Sequence, residues 1–210
     1  MKKTNIIIVI VILISFAIGI YFYSQFPDRI ASHWNIKGEV DSYMSKFWGL
    51  FLMPIILLGL WLLFLLIPRI DPLKKNIEKF RKYFDVFIVL ITLFLFYIYL
   101  LAIAWNTGMR FDMGRAVVPA MGILFYYIGV LLKHAKRNWF IGIRTPWTLS
   151  SDKVWEKTHE IAGKFFKIAG VIAVLGIFFP QWVFLIVVAP ILLFVIYIFI
   201  YSYFLYQKEK

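Results

Sequence analysis

The sequence predicts an all-α polytopic membrane protein. Six transmembrane helices are expected, with both termini in the cytoplasm and an amphipathic interfacial helix just before the fifth span. Three observations carry this. Apolar residues make up 62% of the 210 residues, charged residues only 16%, and the mean hydropathy is +0.83, whereas a soluble domain averages about 45–50% apolar and about 25% charged. Six apolar runs are each long enough to cross a hydrocarbon core of about 30 Å as a helix. Lysine and arginine gather in alternate connecting segments, as cytoplasmic loops do. The expected place of such a chain is the cell membrane, as a multi-pass protein, with membrane lipids as its first partners.

The first run, residues 6–23, follows Met1-Lys2-Lys3 in the manner of a signal peptide. It outlasts the usual apolar region of about 7–15 residues, and no small-residue cleavage site follows, so it reads as an uncleaved span. The second run covers residues 47–67 and is closed by Pro68; the third covers 84–105 and the fourth 116–132. The fifth covers 161–179, with Lys164 and Lys167 near one end where they can snorkel to the interface. The sixth covers 182–205, and Pro180-Gln181 is expected as a tight hairpin between the last two. None of these runs alternates polar and apolar residues, which excludes barrel strands. Pro54 and Pro190 fall inside spans two and six, where each removes a backbone donor and is expected to kink its helix. Trp48, Trp105, Trp139 and Trp182 sit at span ends, the usual depth of interfacial indoles.

Placing the N-terminus in the cytoplasm puts 18 of the 23 lysines and arginines inside. Nearly all of the +12 net charge is then accounted for by topology and by anionic inner-leaflet lipid. No direct nucleic-acid partner is expected. The chain has no cysteine, which excludes disulfides, thiolate metal sites and cysteine nucleophiles. Three histidines, His33, His134 and His159, supply metal chemistry poorly, so neither a metal nor another cofactor is expected. The central parts of the spans hold no ionisable side chain, which argues against an ion-coupled transporter, and they lack the residues of an intramembrane protease. The chain reads as a scaffold without enzymatic activity. Two units are expected: residues 1–70, a two-span unit with an extracytoplasmic loop, and residues 71–210, a four-span unit with a cytoplasmic loop.

Two loops exceed what a connector needs. The outer one runs from Phe26 to Lys46. Pro27-Asp28 opens a turn, Ile30, Trp34, Ile36, Val40, Tyr43 and Met44 are apolar enough to fold back onto the membrane, and Lys37-Gly38 is a turn with Gly38 at positive φ. Asp28, His33, Glu39 and Asp41 are potential cation ligands, more simply read as hydrogen-bonding groups of a compact loop. The inner loop centres on Asn138-Trp139-Phe140-Ile141-Gly142-Ile143-Arg144-Thr145-Pro146-Trp147-Thr148-Leu149. Arg144 suits lipid phosphate or a helix end. Ser150 or Ser151 can cap the helix that follows, with Asp152 in its first turn. Val154, Trp155, Thr158, Ile161, Ala162 and Phe165 recur at helical spacing, while Lys153, Glu156, Lys157, Glu160 and Lys164 take the other face. This is the expected interfacial helix, solvated or a docking face for a cytoplasmic protein.

These two loops carry a resemblance. Pro27, Ile30, His33, Trp34, Asn35, Gly38, Asp41 and Lys46 resemble the pattern of an N-terminal membrane domain of unknown function, with Ala31 where proline is common. The segment from Asn138 to Leu149, followed by Val154-Trp155 and His159, resembles the signature of the SdpI family of integral membrane proteins. Order, separation and six-span frame agree over essentially the whole chain. The family's name-giving member protects a sporulating bacterium against its own secreted toxin peptide, and is thought to hold a transcriptional repressor at the membrane once toxin is bound. The resemblance therefore implies an immunity protein and receptor, with a toxin peptide and a cytoplasmic repressor as its partners. It makes Pro27, His33, Trp34, Asn35, Gly38, Asp41 and Lys46 candidate ligand or signal residues outside. It makes Asn138, Gly142, Arg144, Thr145, Pro146, Trp147, Thr148, Trp155 and His159 the candidate signature residues inside. The rival readings are a transporter or permease for a small apolar solute, and an enzyme on lipid head groups using His33 with Asp41 or His159 with Glu160.

Overall fold

Backbone amides in hydrocarbon have no water to pair with, so a long apolar run satisfies them internally as a helix. The computed structural model describes residues 3–35, 37–179 and 182–209, with backbone alone for Val183 and Phe184. Its elements are α1 (Lys3–Tyr23), β1 (Arg29–Trp34), β2 (Val40–Ser45), α2 (Lys46–Ile70), α3 (Lys74–Lys79), α4 (Arg81–Asn106), α5 (Met113–His134), α6 (Pro146–Ser150), α7 (Asp152–Leu175), a 3-10 turn (Gly176–Phe178) and α8 (Val183–Gln207). Helices α1, α2, α4, α5, α7 and α8 are long and apolar enough to cross a membrane, and the chain is a multi-pass membrane protein. Large apolar side chains along α8, such as Leu192, Leu193, Ile196 and Phe199, face outward, as lipid contact requires.

Several boundaries differ from the sequence reading. Helix α2 continues past Pro68 to Ile70, and the Asp71 amide still donates to the Ile67 carbonyl at 3.1 Å. A proline in the last turn forfeits one bond and leaves the rest of the ladder intact. Helix α5 contains Pro119, a proline the sequence reading leaves unmarked. The short helices α3 and α6 replace what reads as loop. The amphipathic stretch from Asp152 does run into the fifth span as expected, in the single helix α7, capped by Ser151, whose Oγ accepts from the Val154 amide at 3.2 Å. The expected Pro180-Gln181 hairpin and the apolar role of Ile36 lie outside the described residues.

The outer loop is a β-hairpin. Strands β1 and β2 pair antiparallel, with Ile30 opposite Met44 and Trp34 opposite Val40, and the register slips on either side of His33. Gly38 takes φ +77 in the turn, as its place in the sequence predicts. Two strands alone are marginal in water, and here α4 completes them. The Asn106 side chain at its end accepts from the Ala31 amide at 2.9 Å and donates to the Ala31 carbonyl at 3.0 Å, as a third strand would. Ile30 is buried against Gly49 of α2, where a β-carbon would occupy the space its side chain fills.

Inside the bundle α5 and α7 pack more extensively than any other pair of elements. A β-carbon on Gly129 would lie 2.6 Å from the Gly163 carbonyl oxygen, and one on Gly170 would lie 2.6 Å from that of Gly122. Small residues let membrane helices approach where no hydrophobic drive exists. The larger core cluster joins Ile8, Ile12, Leu57 and Ile67 to Phe84, Ile88, Leu131 and Trp155, so packing runs without a break across residue 70.

Candidate functional site

The end of the bundle that carries both described chain ends is closed by the loop between α5 and α7. Asn138 organises its first half. The side chain is fully buried; its Nδ2 donates to the Lys136 and Ile141 carbonyls at 2.8 Å each, and its Oδ1 accepts from the Phe140 and Ile141 amides at 2.9 and 2.6 Å. All four hydrogen bonds an amide side chain offers are thus made within the loop. The next amide, of Trp139, donates at 2.9 Å to Asp71, a carboxylate only 2% exposed. The other Asp71 oxygen accepts from Leu73 at 2.6 Å. Arg137 reaches both Asp152 at 2.6 Å and the Leu149 carbonyl at 2.7 Å, while Asn76 of α3 donates to the Arg137 carbonyl at 2.8 Å.

The second half turns on Gly142, at φ +116. A β-carbon there would collide with His159 and come within 3.1–3.2 Å of the Trp155 ring. His159 is 1% exposed and stacks on Trp155 with ring centroids 3.9 Å apart. Its Nε2 accepts from the Ile143 amide at 3.0 Å, which assigns the proton to Nδ1, and Nδ1 donates to the Trp155 carbonyl at 2.8 Å. Both ring nitrogens are therefore committed. The Trp155 indole donates to the Ala135 carbonyl at 2.8 Å. Glu160, one residue on, pairs with Lys164 at 2.8 Å, so His159 and Glu160 form no acid–base pair.

Thr145 and Thr148 build a capping box at the start of α6, each side chain accepting from the other's amide, with Pro146 in the first helical position. The box is tied to the last span by Thr145 Oγ1 to Ser202 Oγ at 3.2 Å. Trp147 packs edge-on against Phe199 and Tyr203. Ser151 donates to Glu209 at 2.7 Å with Lys153 beside it, which holds the Glu209 carboxyl below its usual range. Of the nine signature residues, eight are thus structural ties among α5, α7, α8 and the 71–80 segment. Arg144 is the one exposed charged residue of the set; it donates to the Trp139 carbonyl at 2.8 Å, beside a Trp139 ring that is half exposed.

At the opposite end the hairpin residues divide. His33 and Asp41 meet across the strands at 2.5 Å in an exposed pair. Asn35 braces the turn, accepting from the Lys37 and Glu39 amides at 2.9 and 3.1 Å. Lys46 bonds Asp28 at 3.1 Å beside the Tyr23 ring. Trp34 meets Trp105 edge-on at 5.5 Å, and Pro27 precedes the first strand. Among the described residues no three histidine or carboxylate side chains are grouped to hold a metal ion.

The sequence reading missed Asp71, Asn76, Asn106, Arg137, Ser202 and Glu209. Only Asp71 carries a local signal: Asp-Pro after a span end marks a turn in which the carboxylate takes the amide two residues on. The others act through partners 12 to 75 residues away.

Comparison with known proteins finds matches over both loops. Residues 134–202 match the SdpI/YfhL protein family, and residues 10–58 match a domain of unknown function. The chain is 28% identical over 207 residues, 98% of its own length and 97% of the relative's, to a protein named Immunity protein SdpI from Bacillus subtilis (strain 168). No solved structure matches it. Signature loop, outer-loop domain and full-length match agree in order along one six-span chain, which over residues 134–202 is similar to the SdpI/YfhL protein family.

Proposed function

We propose that the chain is a membrane immunity protein that protects its cell against a membrane-active toxin peptide. The full-length match to a protein named as an immunity protein carries this reading. In it, the N-terminus and the loop between α5 and α7 face the cytoplasm, as the lysine and arginine distribution favours. The first two spans and the hairpin meet the toxin, and the signature loop answers on the inside. The reading calls for no catalysis; both nitrogens of His159 are engaged in hydrogen bonds, and the His33–Asp41 pair lies open to water. Arg144 and Trp139 present the exposed surface a cytoplasmic repressor would read. Such signalling needs a ligand that favours one of two packings of the spans.

The test is survival of a toxin-sensitive bacterium expressing the chain when challenged with the toxin peptide neutralised by the family's name-giving member. Membrane accumulation is measured in the same cells. Protection that falls in His33→Ala or Arg144→Ala at equal accumulation supports the reading; no protection by well-inserted parent protein refutes it. Solute flux into vesicles holding the purified chain separates it from the permease reading.

A further inference from the structure

Beneath the hairpin, a cavity of about 320 Å³ lies among β1, α2, α4 and α5, partly open to the outside of the protein. That is roughly twice the ~150 Å³ cavity that takes a benzene. Its long direction follows the spans. Trp34, Trp48 and Asn106 line it at the hairpin end, and Ile56 and Ile98 line it eight residues deeper on α2 and α4. Eight helical residues rise about 12 Å, most of the ~15 Å of hydrocarbon in one leaflet. The wall is chiefly apolar and includes three methionines, Met44, Met53 and Met113, whose unbranched thioethers adapt to a flexible guest.

Polar residues line the hairpin end and, deeper, Tyr99, whose hydroxyl donates to the Ser15 carbonyl at 3.2 Å; nearly all of this polarity is already used. Asn106 bonds Ala31 and Ala102, Ser32 bonds the Ser42 carbonyl, and His33 bonds Asp41. Trp34 differs: its indole Nε1–H is buried without an acceptor among the described residues. A buried donor left unpaired is costly, and native structures seldom keep one. Trp34 thus stands at the hairpin end of a chiefly apolar slot about a leaflet deep.

We propose that this cavity binds one acyl chain of an outer-leaflet phospholipid, its ester carbonyl at Trp34, whose indole turns to donate Nε1–H to it, and its chain descending between α2 and α4 toward Ile56 and Ile98. The depth match and the chiefly apolar lining favour lipid over a peptide side chain, which would fill only the upper part. The choice of leaflet rests on the orientation proposed above; the proposal does not otherwise depend on the immunity reading.

The full chain is purified in mild detergent, and its retention of dioleoyl-phosphatidylglycerol is measured by native mass spectrometry. A phosphatidylglycerol bearing a diazirine midway along one acyl chain is then crosslinked and the products mapped. One retained lipid per chain is expected, with crosslinks on lining residues. Ala102→Leu and Val117→Phe fill the slot from different helices and should each weaken retention about tenfold. Trp34→Phe keeps an aromatic ring, removes the donor with the pyrrole ring and should weaken it a few-fold. Leu100→Phe, on a face that does not line the cavity, should change nothing. Size-exclusion profiles identify which variants fold. Retention and crosslinking unchanged in both filled variants, no retained lipid on the parent, or labelling of the cavity by a diazirine-bearing apolar peptide but not by lipid would each overturn the proposal.

Discussion

Substituting Gly142 by alanine tests whether the signature loop is held by steric fit around His159. The backbone there sits at φ +116, a region that costs a residue with a β-carbon roughly 1–3 kcal/mol. The new carbon would also collide with His159 and crowd Trp155. If the ring shifts, the Ile143 amide loses its 3.0 Å bond to Nε2, and an unpaired donor costs a further ~1–3 kcal/mol. Gly108 is the control, because it takes φ +104 and a β-carbon added there would meet nothing within 4 Å. Gly108→Ala therefore carries backbone strain alone. Thermal unfolding of the two purified variants in one detergent measures the difference, expected at about 2–12 °C lower for Gly142→Ala in a chain of this size. A second expectation sharpens the first: combined with His159→Ala, Gly142→Ala should cost less than it does alone, since the clash has been removed. If Gly142→Ala melts no lower than Gly108→Ala, the fit around His159 is not what holds this loop.

Asp71→Ala should lower the unfolding temperature more than Asp71→Asn, because alanine strands the Leu73 and Trp139 amides together while asparagine retains one acceptor; each stranded donor is worth about 1–3 kcal/mol in the same melt. Gly129→Leu should abolish monodisperse protein in size-exclusion chromatography, since a side chain there meets Gly163 and Lys167 backbone at 2.6–2.8 Å; Gly59→Leu, which meets nothing within 4 Å, should not. The C-terminal tie should weaken in acid. Ser151 and then Lys153 depress the Glu209 carboxyl, so the contribution is complete at neutral pH and is lost as pH falls through that lowered value. Limited proteolysis of the last residues should accelerate at low pH in the parent, and at neutral pH in Glu209→Gln.

The length and composition of the apolar runs were enough to place six spans, because the bilayer imposes one requirement on every residue of a span and leaves the helix as the answer. Glycine at 38 and the serine cap before Asp152 were equally legible, since a turn and a helix start are decided within four residues. The signature loop was legible as a set of residues but not as a structure. Nothing local to Asn138 or His159 says that every polar atom of the side chain is used inward, or that Asp71 closes the loop from 68 residues away. The hairpin escaped for the same reason: its third partner is the side chain of Asn106, 75 residues on. Both glycine contacts between α5 and α7, and the slot beneath Trp34, exist only once helices are set side by side. Membrane partition is a sum over residues and can be read along the chain. Close approach, buried hydrogen bonding and empty space depend on pairs distant in sequence, and only the tertiary structure brings those pairs together.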